Sequence, residues 1–536
     1  MTERSSIARS AFSMTTATGI SRILGFLRDM LVARFLGAGG VSDSFFVAFR
    51  VPNLLRELFA EGSMSSGVIP VLSQYKATKG QTAVAELVRA AFTFIAILSG
   101  LVCILGIVFA PLIVNAIAPG FSSNPVKFAQ TVFLTRIMVP FLFFVSISAI
   151  VMGALNSRKV FFVPAMASTW FNVGIISTIA VFYFFWPNHS AVVAVGVTIG
   201  GFFQFASQVP TFYKNEYSLR PNFNFSHPGL KQIGLLILPA TVGTAVSQLN
   251  IFISTILASY LPSGSITYLY YAMRLIQFPV GVFGVAMGMA VLPSLSEHAA
   301  RGDFDTLTKD FTFSLKLLFA ITLPSMIGLI ALSEPIVNCL FQHGRFDYEA
   351  VRGTTAALLC YSTGIWAMVG VRVVASTFYS MHDTKTPVRA AVFTLIINIA
   401  ISIILMEHLS FAGLALANAL SSCANFLALF YFLNKKLKHI AIGGIVWSFM
   451  KTLLASAMMG IVGWYLINIK QVSAIPGVKW NTTGHFMVKS VYLALVIAVC
   501  AVVYFTIAHL LKSEEAGYII KTLKRKITGG GSGQTV

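Results

Sequence analysis

The run SRILGFLRDMLVARFLGAGGVSDSFFVAFRVPNLLRELFAEG, Ser21 to Gly62, decides how the whole chain is to be read. It is apolar enough for two membrane-crossing helices, yet it carries Arg22, Arg28, Asp29, Asp43, Arg50, Arg56, Glu57 and Glu61. A charged side chain at the centre of a crossing helix costs about 2.5–3.5 kcal/mol on insertion scales. Such residues need partners or a water-filled interior, so both helices are expected to line a polar cavity. At about 100° per residue, Arg22 and Asp29 share a face while Arg28 points elsewhere, which leaves the first helix no broad charge-free side for lipid. In the second helix, spacings of 7, 14 and 18 from Asp43 put Arg50, Glu57 and Glu61 on one stripe, with Arg56 off it. Pro52 removes a backbone hydrogen bond mid-helix, so the following half is expected to bend or rotate.

The rest of the composition agrees with a bilayer as solvent. The 536 residues are 56% hydrophobic and 10% charged, with Lys+Arg 38 against Asp+Glu 18 and a formal net charge of +20. Soluble domains carry about 25% charged residues, so a soluble enzyme or nucleic-acid binder is excluded. Cys103, Cys339, Cys360, Cys423 and Cys500 are scattered singly through apolar runs and read as packing residues. The N-terminus lacks a small-residue cleavage site and reads as a retained first membrane segment.

A crossing helix needs roughly 20 mostly apolar residues. That requirement predicts an all-α polytopic protein with about 14 spans, near 14–36, 42–72, 88–117, 130–154, 161–186, 190–213, 231–260, 265–295, 310–340, 354–381, 387–407, 411–434, 446–469 and 486–511. One set of alternate connections holds Lys76 and Lys79, Arg158 and Lys159, Lys214 and Arg220, Arg301 and Lys309, Lys385 and Arg389, and Lys435, Lys436 and Lys438. The opposite set is nearly bare, with Lys127, Arg345, Arg352, Lys470 and Lys479 as exceptions. The positive-inside rule then places both termini in the cytoplasm, consistent with an even number of spans. The closing GGGSGQTV reads as flexible linker.

The chain also repeats itself. VIPVLSQY (Val68 to Tyr75) is echoed by VLPSLSEH (Val291 to His298), PLIVN by EPIVN, and Pro164 by Pro387, each time 223 residues later. One interval held over nearly a hundred residues predicts two parallel six-helix lobes, residues 1–222 and 223–440. Spans 13 and 14, within 441–512, have no counterpart, and 513–536 forms a tail. Parallel repeats suit a transporter with its site between the lobes, or a channel or scaffold whose duplication is a folding relic.

YYAMRLIQFP in the second copy sets Arg274 after an aromatic pair, much as FFVAFRVPN sets Arg50, with no acid within a helical turn in sequence. Guanidinium forks bind phosphate oxygens bidentately. Arg22, Arg28, Arg56 and Arg274 are therefore expected to bind a diphosphate or a larger phosphorylated headgroup, with Asp29, Asp43, Arg50, Glu57 and Glu61 as supporting charges. The acids serve either that cavity or simple pairing between the two helices. Asp303 and Asp305 read as a helix cap, and no metalloprotease, nucleophile-elbow or phosphate-loop motif occurs.

The Ser21–Gly62 run, VLPSLSEH, YYAMRLIQFP and the 6+6+2 pattern closely resemble the MurJ/MviN family of lipid II flippases, within the multidrug/oligosaccharidyl-lipid/polysaccharide exporter superfamily. The resemblance implies a transporter, not an enzyme, of the bacterial inner membrane. Its partners would be lipid II, which is undecaprenyl-pyrophosphate-linked peptidoglycan precursor, and membrane lipids, with no nucleic acid, as a monomer. It implies alternating access from the cytoplasmic to the outer leaflet in support of cell-wall synthesis, with Arg22, Arg28, Arg56 and Arg274 facing the cavity, Asp43 and Glu61 also implicated, and the last two helices forming a groove for the polyprenyl tail. No cofactor is implied, and membrane potential, proton or sodium stands open as the driving force. In this sequence Glu57 stands where a second arginine can follow Arg56 in the family, Met273 stands where an acid can precede Arg274, and the seventh span lacks the acid of a sodium site. The alternatives are export of another lipid-linked oligosaccharide, multidrug antiport on the same fold, and a membrane-embedded polyprenyl-phosphate transferase.

Overall fold

The computed structural model describes residues 3–57, 64–438, 440–469, 480 and 486–527. Glu61, Lys470, Lys479 and the closing linker lie outside the described residues. The described residues are helical, with no strand among them.

The chain forms two compact units, Met1–Ile266 with Gly344–Phe346, and Thr267–His343 with Asp347–Val536. The first contains α1 (Glu3–Leu36), α2 (Gly40–Arg56), α3 (Met64–Val108), α4 (Ala110–Ile117), α5 (Pro125–Met138), α6 (Phe141–Ser157), α7 (Phe162–Phe182), α8 (His189–Ala206), α9 (Val209–Lys214) and α10 (Pro228–Ser259). Next come α11 (Ser265–Pro279), α12 (Val285–Ala300), α13 (Phe304–Ala331), α14 (Ser333–Phe341), α15 (Tyr348–Ser362), α16 (Ile365–Ser380) and α17 (Lys385–Leu437). The chain ends on α18 (Ile442–Asn468), α19 (Phe486–Leu510) and α20 (Glu514–Ile527).

Two breaks divide long helices where the sequence places loops. Gly80, with φ 81°, separates the first stretch of α3 from its apolar remainder. Ser410, with φ 51°, splits α17, and Gly413 fits so closely against the Leu405 carbonyl that an added Cβ would overlap its oxygen.

Length and apolarity alone pick out nine crossing helices among the described residues, ten with the bent pair α15 and α16. The difference from 14 has local causes. α1 and α2 are charged or short, α10 divides into apolar pieces at Pro228–Leu238 and Gln248–Ser259, and α17 holds two helices in one.

The interval of 223 residues extends to the element boundaries. It carries α2 onto α11, the part of α3 after Gly80 onto α13, α4 onto α14, α5 onto α15 and α6 onto α16, each within two residues. Even the caps correspond: Asn124 accepts from the Lys127 backbone N–H at 3.1 Å, and Asp347 from that of Ala350 at 2.8 Å. Glu57, at the end of α2, has π-type geometry, and 223 residues later Val280–Gly284 form a π-type turn after Pro279. The same interval sets α10 opposite α1, and α10 packs against α3 within the first unit.

Helix packing inside the first unit is close where α7 crosses α8. A Cβ on Gly174 would lie 2.5 Å from the Gly200 Cα, and one on Gly200 would lie 2.6 Å from the Phe171 carbonyl oxygen. Overpacking of this kind costs about 1–3 kcal/mol. Gly200→Ala is expected to lower the melting temperature of the detergent-solubilised protein, read by intrinsic fluorescence.

The two additional helices are fastened to the second unit. Lys489 on α19 is 3% exposed and donates to the Asn338 Oδ1 on α14 at 3.0 Å. Asn338 also contacts the Trp480 carbonyl and Gln342. The Tyr504 hydroxyl donates to the Ala320 carbonyl at 2.6 Å, and the buried Glu515 carboxylate, at the start of α20, accepts from the Ser448 hydroxyl at 2.9 Å.

At the turn between α16 and α17, Asp383 accepts from the Thr386 backbone at 3.1 Å and from Lys436 Nζ at 2.9 Å. The Lys436 hydrogen bond first, then those from Thr386, pull its carboxyl down to about 2. A carboxyl lowered by folding contributes stability above its unfolded value, near 3.9, and loses it as pH falls towards 2. Asp383→Asn is therefore expected to destabilise the protein at pH 7 by about 1 kcal/mol, given solvent screening. The difference between variant and parent should shrink between pH 4 and pH 2 in thermal melts.

Candidate functional site

In the first unit the sequence-selected charges separate into three arrangements. Arg28 folds back on its neighbour, its Nε and Nη2 donating to Asp29 Oδ1 at 3.0 and 2.6 Å. The Arg28 guanidinium also lies 5.7 Å from the centre of the Phe171 ring on α7. Asp29 is 2% exposed and the Arg28 side chain 12%, so this pair sits inside the helix assembly. Arg22, which shares a face with Asp29 on a helical wheel, is exposed, and Asp29 pairs with Arg28. Adjacent side chains start well apart around a helix. The long arginine stem closes that angle, which wheel geometry for Cβ positions does not capture.

Asp43 joins three segments. Its Oδ2 accepts from Lys127 Nζ on α5 at 3.0 Å and from the Gly264 N–H, between α10 and α11, at 2.7 Å. Lys127 Nζ also lies 4.1 Å over the Phe121 ring. With Asp43 at 1% exposure, this is a buried pair that closes one end of the first unit. Gly120 packs beside it, its N–H donating to the Ser259 hydroxyl at 3.0 Å. Lys127 was missed as a site residue, although the signal was present: it is a cation in a set of connections that otherwise avoids cations. Arg345, another such exception, donates its backbone N–H to the Arg34 carbonyl at 2.9 Å, beside Gly37 at φ 69°.

The third arrangement surrounds the end of α2. Arg56 Nε donates to Asn53 Oδ1 at 3.2 Å, Asn53 Nδ2 donates to Glu57 Oε1 at 2.9 Å, and Gln248 of α10 donates to Glu57 Oε2. Arg56 and Glu57 are 21% and 27% exposed, so this cluster is reachable by solvent while held in place. Neither Asn53 nor Gln248 was selected from sequence, because an amide in an amphipathic helix carries no periodic mark. Arg50 is half-buried in the middle of α2.

In the second unit, Arg274 lies half-buried in α11, one turn after Tyr270 and Tyr271, and the Tyr271 ring packs on Phe341 at 4.7 Å. Asp303 caps α13, accepting from the Thr306 N–H at 3.0 Å, and the hydrogen bonds from Thr306 hold its carboxyl below the usual range. Among the described residues, no group of three or more His, Cys, Asp or Glu side chains could hold a metal ion. The chemistry on offer is recognition of anions by oriented guanidinium groups in membrane helices.

Comparison with known proteins bears on the family. The family model described as lipid II flippase MurJ matches residues 32–484. A lipid II flippase MurJ of Burkholderia cenocepacia is 34% identical over 469 residues, spanning 86% of this chain and 90% of that protein. A "probable lipid II flippase MurJ" of Buchnera aphidicola from Schizaphis graminum is 32% identical over 525 residues, spanning 97% and 100%. A solved structure of lipid II flippase MurJ in an inward closed conformation matches with TM-score 0.75 and 27% identity, over 92% of this chain and 98% of that one. An inward-facing multidrug resistance transporter of the MOP superfamily matches at TM-score 0.60 with 14% identity, a likeness of fold alone.

Proposed function

The chain belongs to the lipid II flippase MurJ family, and we propose that it carries lipid II from the cytoplasmic to the outer leaflet of the bacterial inner membrane by alternating access, supplying cell-wall synthesis. The observation that carries this reading is the set of arginines in membrane helices where charge is expensive. Arg28 and Arg56 are each held in a fixed orientation by a neighbouring side chain, and Arg274 lies beside an aromatic shelf. A guanidinium so fixed can meet two phosphate oxygens at once. We assign Arg22, Arg28, Arg56 and Arg274 to the diphosphate and headgroup, with Asp29, Asp43, Arg50, Glu57 and Glu61 setting the charge around them.

The additional helices supply apolar surface for a long lipid chain. Trp447, Leu454, Ile461 and Trp464 on α18, with Leu495 and Val502 on α19, are all exposed. The topology that accompanies the proposal has 14 crossings and both termini in the cytoplasm, and a reporter fused after Val536 should be active only inside the cell. Multidrug export on this fold is disfavoured by the same arginines, which repel organic cations.

The test is growth. In cells depleted of their own lipid II flippase, the parent chain is expected to restore growth. Arg274→Ala is expected to fail while reaching the membrane at parental level by immunoblot, and full growth with Arg274→Ala would remove that residue from the site.

A further inference from the structure

We infer that Glu57 is a positioning residue for Arg56 that sets how tightly the diphosphate of the transported lipid is held; the inference rests on Arg56 meeting that diphosphate, as proposed above. Glu57 has π-type geometry at the end of α2, and such departures from regular helical hydrogen bonding often serve function. Its two carboxylate oxygens have separate duties. One accepts from Asn53 at 2.9 Å and the other from Gln248 of α10.

Asn53 is a relay between acid and base. Its amide nitrogen donates to Glu57 while its carbonyl oxygen accepts from Arg56 Nε at 3.2 Å, so the two contacts together fix which way the amide faces. Held at Nε, the Arg56 guanidinium has a defined plane, and its Nη2 lies 3.8 Å from Glu57 Oε1. At that distance the Glu57 carboxylate stands beside the guanidinium, and its charge lowers the attraction of Arg56 for a phosphate.

A carrier gains from such moderation, since cargo held too strongly on one side is released slowly on the other. Structural damage loosens binding, whereas loss of the Glu57 charge should tighten it, and this difference makes the inference testable. Glu57→Gln keeps the shape and an acceptor for Asn53 while removing the charge. With labelled lipid II in proteoliposomes, E57Q is expected to lower the apparent KM about 3–10-fold and to lower kcat with it. Its affinity should also fall more steeply with added salt than that of the parent. Should E57Q fold poorly, Glu57→Ala must still move KM in the same direction. Unchanged KM and salt dependence in both variants, with Arg56→Ala abolishing binding, would overturn the inference alone. Normal binding by Arg56→Ala would overturn the assignment of Arg56 and this inference with it.

Discussion

Arg28→Ala is expected to abolish growth support in flippase-depleted cells and to weaken lipid II binding about 10–100-fold, the range for loss of one or two hydrogen bonds to a charged group. The substitution has a second consequence that must be separated from the first. It takes from Asp29, at 2% exposure, the guanidinium that donates to it twice, and breaking a buried pair costs about 3–5 kcal/mol. Loss of function in the single variant could then reflect a poorly folded protein. The double variant Arg28→Ala with Asp29→Ala removes both charges and should recover most of the stability. If Arg28 serves the headgroup, the double variant melts close to the parent and still fails to bind lipid II. If it regains binding, the pair is a packing device only. Arg28→Lys should also be poor, because one ammonium replaces two aligned donors beside the Phe171 ring.

Lys127→Met is expected to be the most destabilising single change in the first unit, at about 3–5 kcal/mol. The ammonium pairs with Asp43, whose side chain is 1% exposed, and the same carboxylate holds the Gly264 N–H. Without Lys127, the carboxylate remains in a low-dielectric site with much of its compensation gone. Asp43→Leu combined with Lys127→Met should restore stability, because a matched apolar pair carries no desolvation penalty. Thermal melts of the two single variants and the double variant give the coupling directly. Near-additive losses would show that the pair is not coupled as the geometry requires.

The fold was legible in the sequence to different depths. The interval of 223 residues, read from a few prolines and asparagines, also relates helix boundaries and two caps. Span counting by apolarity was weaker where α1 and α2 carry charges that depress their apolar character. The candidate site was legible as a list of arginines but not as an arrangement. The link between Gln248 and Glu57 joins residues 191 positions apart, and no helical periodicity reports it. Lys127 was legible only as a breach of the charge rule, and its reason is the buried Asp43.

The central claim is that this chain moves lipid II between leaflets. Its most direct measurement is the leaflet accessibility of labelled lipid II in proteoliposomes containing the purified protein, with and without an imposed membrane potential. Label sealed in one leaflet is expected to become accessible on the other only with active protein, and Arg28→Ala with Asp29→Ala should abolish this transfer. Transfer equal to protein-free liposomes under every imposed gradient, or transfer undiminished in the double variant, would contradict it.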